Sequence, residues 1–369
     1  MTNRRWGLDL LRAIAILVVI EQHGRFISEK LGSKLSNLGV TDGVDLFFVL
    51  SGFLIGNILI RDYSQNQRLD IKKFWLRRWL RTVPIYLVAL LINVFFTLLF
   101  FKADYGSKDM LAHFFFVQNI IPPYTDFRFF SEAWSLSIEE FFYLTLPTLI
   151  LTITFVTRRR ETDIVFVLSL IGMALFSIGC RFLLYHRLPY DAFSLTEWNT
   201  RFRIVVPTRL DSLAVGVFGA LMRWKFPSLW NNRKFKLSSF SLGLLLMIAL
   251  DRTQILNGRI PLGFFAFVPY FLSYPIAVAM TLPFLDTWQP RANLFTRGIT
   301  TVSKLSYSMY LFHNSLIAVP LKSYAISLTR EYEKLGMYLL YWALVIIISY
   351  FAYTYIERPI LRYRDQNYP

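Results

Sequence analysis

The chain is poor in the residues from which most soluble catalytic and metal sites are built. It has one cysteine, Cys180, and four histidines in 369 residues. A single thiol excludes an intrachain disulfide framework, and the apolar run around Cys180 reads as packing. No His, Cys, Asp or Glu cluster has the spacing of a metal site, so no metal is expected. A phosphate-cradling glycine loop and a Gly-x-Ser-x-Gly elbow are also missing. There is no low-complexity tract and no convincing internal repeat. The first apolar segment is too long and too charged for a cleavable leader, and no small-residue cleavage site follows it. Acidic residues are scarce, 24 against 40 Lys and Arg. The cationic loops of a membrane protein account for that excess, so no nucleic-acid partner is expected.

What the chain does have is apolar material. It is 55% hydrophobic and 17% aromatic, more than an ordinary soluble core absorbs. The apolar residues fall in repeated blocks of about 18 to 23, the length that crosses a bilayer. Ten spans are expected, at 8–28, 44–61, 83–101, 134–156, 164–184, 208–224, 237–250, 262–284, 303–325 and 335–357. The expectation is an all-α polytopic membrane protein, one integral domain over 1–369 with no appended soluble domain. The Lys/Arg bias puts the 61–81 loop, Arg158-Arg159-Arg160, the 223–236 cluster and the basic tail on the cytoplasmic side, with both termini. The longest outside segments are 102–133 and 185–207. The first holds LAHFFFVQNII, which reads as an interfacial helix with His113 on it. The second holds Arg201 and Arg203, and Arg209 follows it; these suit a cover for an extracytoplasmic opening.

Ionisable residues inside spans are costly, so each is a functional candidate, with interhelical glue as the rival reading. The first span, DLLRAIAILVVIEQH, carries four. At about 100° per residue, His23 returns to within roughly 20° of Arg12, and Asp9 lies about 40° from His23. Glu21 points nearly the opposite way. A rise of about 1.5 Å per residue separates Arg12 from His23 by about 16 Å, half the hydrocarbon thickness. This is a polar stripe through membrane depth. An imidazole titrating near neutrality can take a proton from a hydroxyl and return it; a histidine hydrogen-bonded between helices is the alternative.

In GVDLFFVLSGFLIG, Asp45 could orient a histidine as the third member of a triad does, or simply sit at a helix end. Gly52 suits either a close helix approach or a bend. In EAWSLSIEEFFYLTLP, Ser135, Glu139 and Tyr143 share a face while Glu140 turns away. Glu139 suits either positioning an acceptor hydroxyl or an ion pair. FWLRRWLRTVP gathers Arg77, Arg78 and Arg81, whose guanidinium forks match the phosphates of a nucleotide-bearing co-substrate and equally well anionic lipid. LSYSMYLFHN puts Tyr310 and His313 on one face, as a second polar site or as satisfied packing. HRLPYD, from His186 to Asp191, has a histidine–four residues–aspartate spacing but lies in an outside loop and is set aside. The residues alone reach a membrane-embedded polar site with a basic approach. An enzyme, a transporter of a glycan, lipid precursor or acyl group, and a structural partner all fit that description.

Seven stretches in order resemble the membrane-bound acyltransferase-3 family, which includes O-antigen and lipopolysaccharide O-acetyltransferases. They are LDLLRAIAILVVIEQH, GVDLFFVLSGFLIG, RRWLRTVPIY, EAWSLSIEEFFYLTLP, RLDSLAVG, LSYSMYLFHNSL and IERPILRYR, and they cover nearly the whole chain. The resemblance implies a cytoplasmic acyl-coenzyme A donor, most simply acetyl-coenzyme A. The implied acceptor is a glycan or glycolipid hydroxyl, presented at or beyond a bacterial inner membrane whose lipids surround the protein. By the same resemblance Arg12 and His23 match the family's arginine–histidine pair, with His23 catalytic. Arg78 and Arg81, with Arg77 beside them, match the donor-linked basic motif, and Glu139 matches the motif carboxylate. Asp45 and Ser51 fall in the second-span motif. Asp45 or Glu139 is then expected to support the charge on His23, and an acyl-histidine intermediate is an open alternative to direct transfer.

Overall fold

The computed structural model describes residues 4–25, 42–101, 107–124, 129–189, 194–257, 263–325 and 328–368. Among these there are helices and turns and no strand, as long apolar runs require where backbone groups must satisfy one another. The principal helices are α1 (Trp6–Gly24), α2 (Gly43–Asn66), α3 (Ile71–Phe96), α4 (Ser107–Phe114), α5 (Ala133–Thr157) and α6 (Thr162–Arg187). They continue with α7 (Leu210–Lys225), α8 (Pro227–Asn231), α9 (Arg233–Asn257), α10 (Tyr270–Ala279) and α11 (Leu282–Thr287). The last three are α12 (Leu294–Phe312), α13 (Glu331–Ala352) and α14 (Arg358–Asn367). Starts follow local chemistry. Asp42 accepts from the Val44 and Asp45 amides at the head of α2, Asp70 from Lys73 N at the head of α3, and Asn293 and Thr296 form a capping box on α12.

Five helical stretches are long and apolar enough to cross a membrane: Gly43–Asn66, Ile71–Leu99, Ala133–Thr157, Thr162–Arg187 and Glu331–Asn367. Several helices outside that set do so for a physical reason. α1 and α12 carry charges and hydroxyls because they are inner helices packed on each other. The expected eighth span is not one helix but the short turn Phe264–Phe267 followed by α10 and α11, with Pro269 and Pro283 at the restarts. The third begins earlier than apolarity suggests, so Arg77, Arg78 and Arg81 lie on the same rigid helix as the span. The outside of the bundle is apolar: Phe95, Leu98, Phe155, Leu175, Phe176, Ile347 and Phe351 are all exposed. A surface of that kind belongs in hydrocarbon, not water.

The stretch LAHFFFVQNII, expected as an interfacial helix, is helical only as far as Phe114, where α4 ends; Leu111, Phe114, Phe115, Val117 and Ile121 are exposed along it. His113 and Asn119 are buried; Tyr86 Oη donates to His113 O at 2.8 Å, and Asn119 Nδ2 donates to the Trp134 and Ile204 carbonyls. A polar side chain that can tie three segments together is held more strongly inside than at an interface.

The tightest crossing in the bundle is α2 on α7. Gly52 faces the Leu213 carbonyl and Gly216 faces the Val49 carbonyl, so a Cβ at either would overlap backbone. Small residues here let two helices approach to backbone contact, which carries helix association in a solvent as apolar as the side chains. Gly52→Leu or Gly216→Leu must push the helices apart. Each should lower the detergent-solubilised protein's stability by about 1–3 kcal/mol or more, measured as a shift of the thermal unfolding midpoint, whereas the same change at open Gly179 should leave it within error.

Candidate functional site

Two cavities meet inside the bundle. The wider, of about 520 Å³, is lined by Arg4, Arg5, Asp9, Arg12, Asn57, Arg81, Arg223, Ser303, Lys304, Glu357 and Arg364. The narrower holds Arg12, Ser51, Arg78, Arg81, Ser135, Glu139, Tyr143, Tyr307 and Tyr310. Arg12 and Arg81 line both, so they form the neck between a basic vestibule and an inner chamber.

The vestibule holds cations partly neutralised by acids. Arg4 Nη2 sits 2.8 Å from Asp9 Oδ1, which also accepts from Ser303 Oγ at 2.8 Å. Arg5 and Arg223 both engage Asp286, and Arg364 pairs with Asp365 at 2.7 Å. Among the described residues Arg81 and Lys304 have no carboxylate within salt-bridge distance. Of the residues that sequence reasoning assigned to the donor, Arg81 is at the neck, Arg78 is in the inner chamber, and Arg77 lines neither cavity. Arg77 instead reaches Asp365 on α14 at 3.6 Å. Arg4, Arg5, Arg223, Lys304 and Arg364 were not singled out for this role. Their one sequence signal is the inward Lys/Arg bias, which does not say which cations share a cavity.

In the inner chamber Ser135, Glu139 and Tyr143 line the same wall, as their four-residue spacing requires. Tyr143 Oη donates to Glu139 Oε2 at 2.6 Å, so the 2.6 Å contact with Ser51 has Ser51 Oγ as donor. Glu140 turns away and accepts from Thr82 Oγ1 at 2.8 Å. Deeper in, Tyr310 Oη donates to the Glu132 carbonyl at 3.1 Å and receives a bond from Ser135 Oγ at 2.7 Å.

Beyond Tyr310 stand two imidazoles. His23, in the last turn of α1, is exposed, while His313, just past the end of α12, is fully buried. Their rings lie edge to face with centroids 4.9 Å apart, and His313 Nε2 is 3.2 Å from His23 Nδ1. His23 Nδ1 also faces Val19 O at 2.9 Å, and His313 Nδ1 faces Tyr310 O at 2.7 Å. The turn carrying His313 continues into a π-helical segment, Asn314–Ala318. Asn314 Nδ2 on Ser131 Oγ at 2.6 Å and Ser315 Oγ on Glu132 Oε1 at 2.7 Å pin that segment to the start of α5. Irregular turns of this kind recur where a helix must aim a functional group.

The expected support of His23 by Asp45 or Glu139 is not what the structure shows. Asp45 is buried against Arg209, whose guanidinium stacks 4.6 Å from the Phe271 ring centroid. Glu139 is engaged by Tyr143. The reason is partner choice in a low-dielectric interior: a buried carboxylate goes to the nearest cation, and Asp45 meets Arg209 across the α2–α7 crossing. Two further pairs flank it. Arg181 binds Asp211 at 2.6 Å with both side chains fully buried, and Arg203 binds Asp42 at 3.1 Å. Burial pushes the Asp42 carboxyl up, but the Arg203 charge and hydrogen bond more than offset this and hold it below the usual carboxylate range. The remaining charge on α1, Glu21, is buried on the other side of the helix and accepts from Tyr338 on α13. Asp191 of the HRLPYD stretch lies outside the described residues.

A family model described as an acyltransferase domain matches residues 5–356. A candidate O-acetyltransferase of Staphylococcus aureus strain COL is 30% identical, with 96% of this chain and 56% of the relative aligned. The O-acetyltransferase OatA of Staphylococcus aureus strain NCTC 8325 is 29% identical, with 96% and 57% aligned. The chain thus spans about half the length of the curated relatives it matches. No solved structure matches it.

The contrast between paired and chamber-facing acids is testable. Arg209→Ala leaves Asp45 charged and alone in the interior, and should cost about 3–5 kcal/mol of stability. Glu139→Gln keeps an acceptor for Tyr143 and should stay within about 1 kcal/mol of the parent. Thermal unfolding in one detergent compares the two; equal losses would contradict the structural role of the Arg209–Asp45 pair.

Proposed function

Because the chain belongs to the acyltransferase-3 family and is an integral membrane protein, we propose that it moves an acyl group from cytoplasmic acyl-coenzyme A to a hydroxyl of a glycan or glycolipid. The relatives' names favour acetyl as the group moved. Ten spans with both termini cytoplasmic, in a bacterial inner membrane, complete the reading. The observation that carries it is the pair of cavities joined at Arg12 and Arg81 and leading from a basic vestibule to Tyr310, with His23 and His313 next.

The vestibule fits the donor in charge and size. Its arginines and Lys304 suit phosphates, which Arg grips through paired N–H groups. Its volume falls in the range of small-molecule sites, which run to about 300–1,000 Å³. Coenzyme A is too polar to cross the bilayer, but its extended arm can pass the neck into a chamber whose lining is largely aromatic and hydroxylic. Arg78 and Arg81, which have no carboxylate within salt-bridge distance among the described residues, stand beside that path, placed to stabilise negative charge that grows on an attacked carbonyl.

His23 serves as general base. Its Nδ1 faces a carbonyl and so bears the proton, which leaves Nε2 with its lone pair; among the described residues no partner occupies that nitrogen. The acceptor hydroxyl oxygen attacks the thioester carbon while its proton passes to His23 Nε2. The carbon–sulfur bond then breaks, and the departing thiolate takes the proton back. The family match favours group transfer over the transporter reading.

The test supplies labelled acetyl-coenzyme A to membranes holding the protein or His23→Ala and follows label into glycans and lipids. Transfer should fall by about 10²–10⁴-fold in the variant. Coenzyme A should also raise the unfolding temperature of the purified protein, and less so for Arg81→Ala. Absence of both transfer and stabilisation would sink the proposal.

A further inference from the structure

We propose that His313 is the positioning residue for His23: its Nε2 accepts a hydrogen bond from His23 Nδ1–H and thereby holds the imidazole in its reactive orientation. The inference rests on the reading of His23 as general base. It assigns to a second, neutral imidazole the place that a carboxylate holds in a Ser-His-Asp triad.

The proton positions follow from the acceptors. A carbonyl oxygen can only accept, so His23 Nδ1, facing Val19 O, and His313 Nδ1, facing Tyr310 O, both carry hydrogen. His313 Nε2 is then an acceptor, and it is aimed at His23 Nδ1 at 3.2 Å. The reverse arrangement fails. A doubly protonated His313 would set an N–H against another N–H at that distance, in a site where His313 has no water-facing surface. His313 is therefore neutral, and its ring is clamped by the Tyr310 carbonyl and by the pinned turn that follows it.

This geometry gives His313 an effect specific to the reaction. When His23 takes the acceptor's proton at Nε2 the ring becomes cationic, and its Nδ1–H bond to His313 becomes charge-assisted and stronger. The contact is worth more in the transition state than before it, so its loss should appear in kcat and not in donor binding. The Val19 carbonyl fixes the tautomer from one side, and His313 adds a second acceptor from another helix, 290 residues away.

Two substitutions separate positioning from packing. An Asn side chain reaches the place of Nδ1 and keeps a donor for Tyr310 O, but offers nothing to His23. A Gln side chain reaches the place of Nε2 and restores an acceptor there. With labelled acetyl-coenzyme A and native membranes as the source of acceptor, His313→Asn should lose about 10- to 100-fold in kcat with KM for the donor unchanged. His313→Gln should stay within about 3-fold of the parent. Carbethoxylation of His23 by diethyl pyrocarbonate, located by peptide mass on the purified protein in nanodiscs, needs no acceptor. It should be several-fold slower in His313→Asn than in the parent or His313→Gln, because attack through Nε2 also builds charge on the ring. Equal kcat and equal carbethoxylation in His313→Asn and the parent would overturn the proposal, as would equal losses in Asn and Gln variants that both retain coenzyme A stabilisation. Full transfer by His23→Ala would instead remove the reading on which the proposal rests.

Discussion

The ion pair of Arg209 with Asp45 is the contact from which the rest of the arrangement takes its register. It is buried where α7 begins, and it joins α7 to the first turn of α2. A charge in such a place must have its partner at hand, so the two helices cannot slide without exposing both groups to a medium that does not solvate them. The glycine crossing about two turns further along each helix works with it: Gly52 and Gly216 let the backbones touch, and the ion pair sets where along the helices they do so. With α2 fixed, Ser51 reaches Tyr143 and the inner chamber acquires its Glu139 wall.

The same constraint organises the site as a whole. Buried charges are matched with opposite charges at several helix contacts, and among the described residues three cations without a carboxylate partner line the cavities. Arg181 with Asp211, Arg203 with Asp42 and Arg4 with Asp9 are structural uses of charge. Arg78, Arg81 and Lys304 lack such partners among the described residues and face open volume. The division separates what holds the bundle together from what is free to meet an anionic ligand.

The two histidines show how burial divides labour. His23 is open on one side and keeps a lone pair there, whereas His313 is sealed and spends both ring nitrogens on internal partners. An exposed base needs a buried group to orient it, because an imidazole free to turn presents its lone pair in the required direction only part of the time. The helix ends supply the aim: α1 stops one residue after His23, and the π-helical turn after His313 is tied to α5 by Asn314 and Ser315.

Much of this was legible from residue order. Apolar blocks specify a helical membrane protein, and helical periodicity alone places Arg12 and His23 on one stripe and Ser135, Glu139 and Tyr143 on one wall, because both properties are local to a single helix. The choice of partners was not legible. Asp45 could have met a histidine as well as an arginine, Arg77 a phosphate as well as Asp365, and His313 a packed neighbour as well as His23. Which pairing forms depends on how helices far apart in sequence cross, and in a low-dielectric interior a difference of a few ångströms between competing charges decides it. Only the tertiary structure fixes those distances.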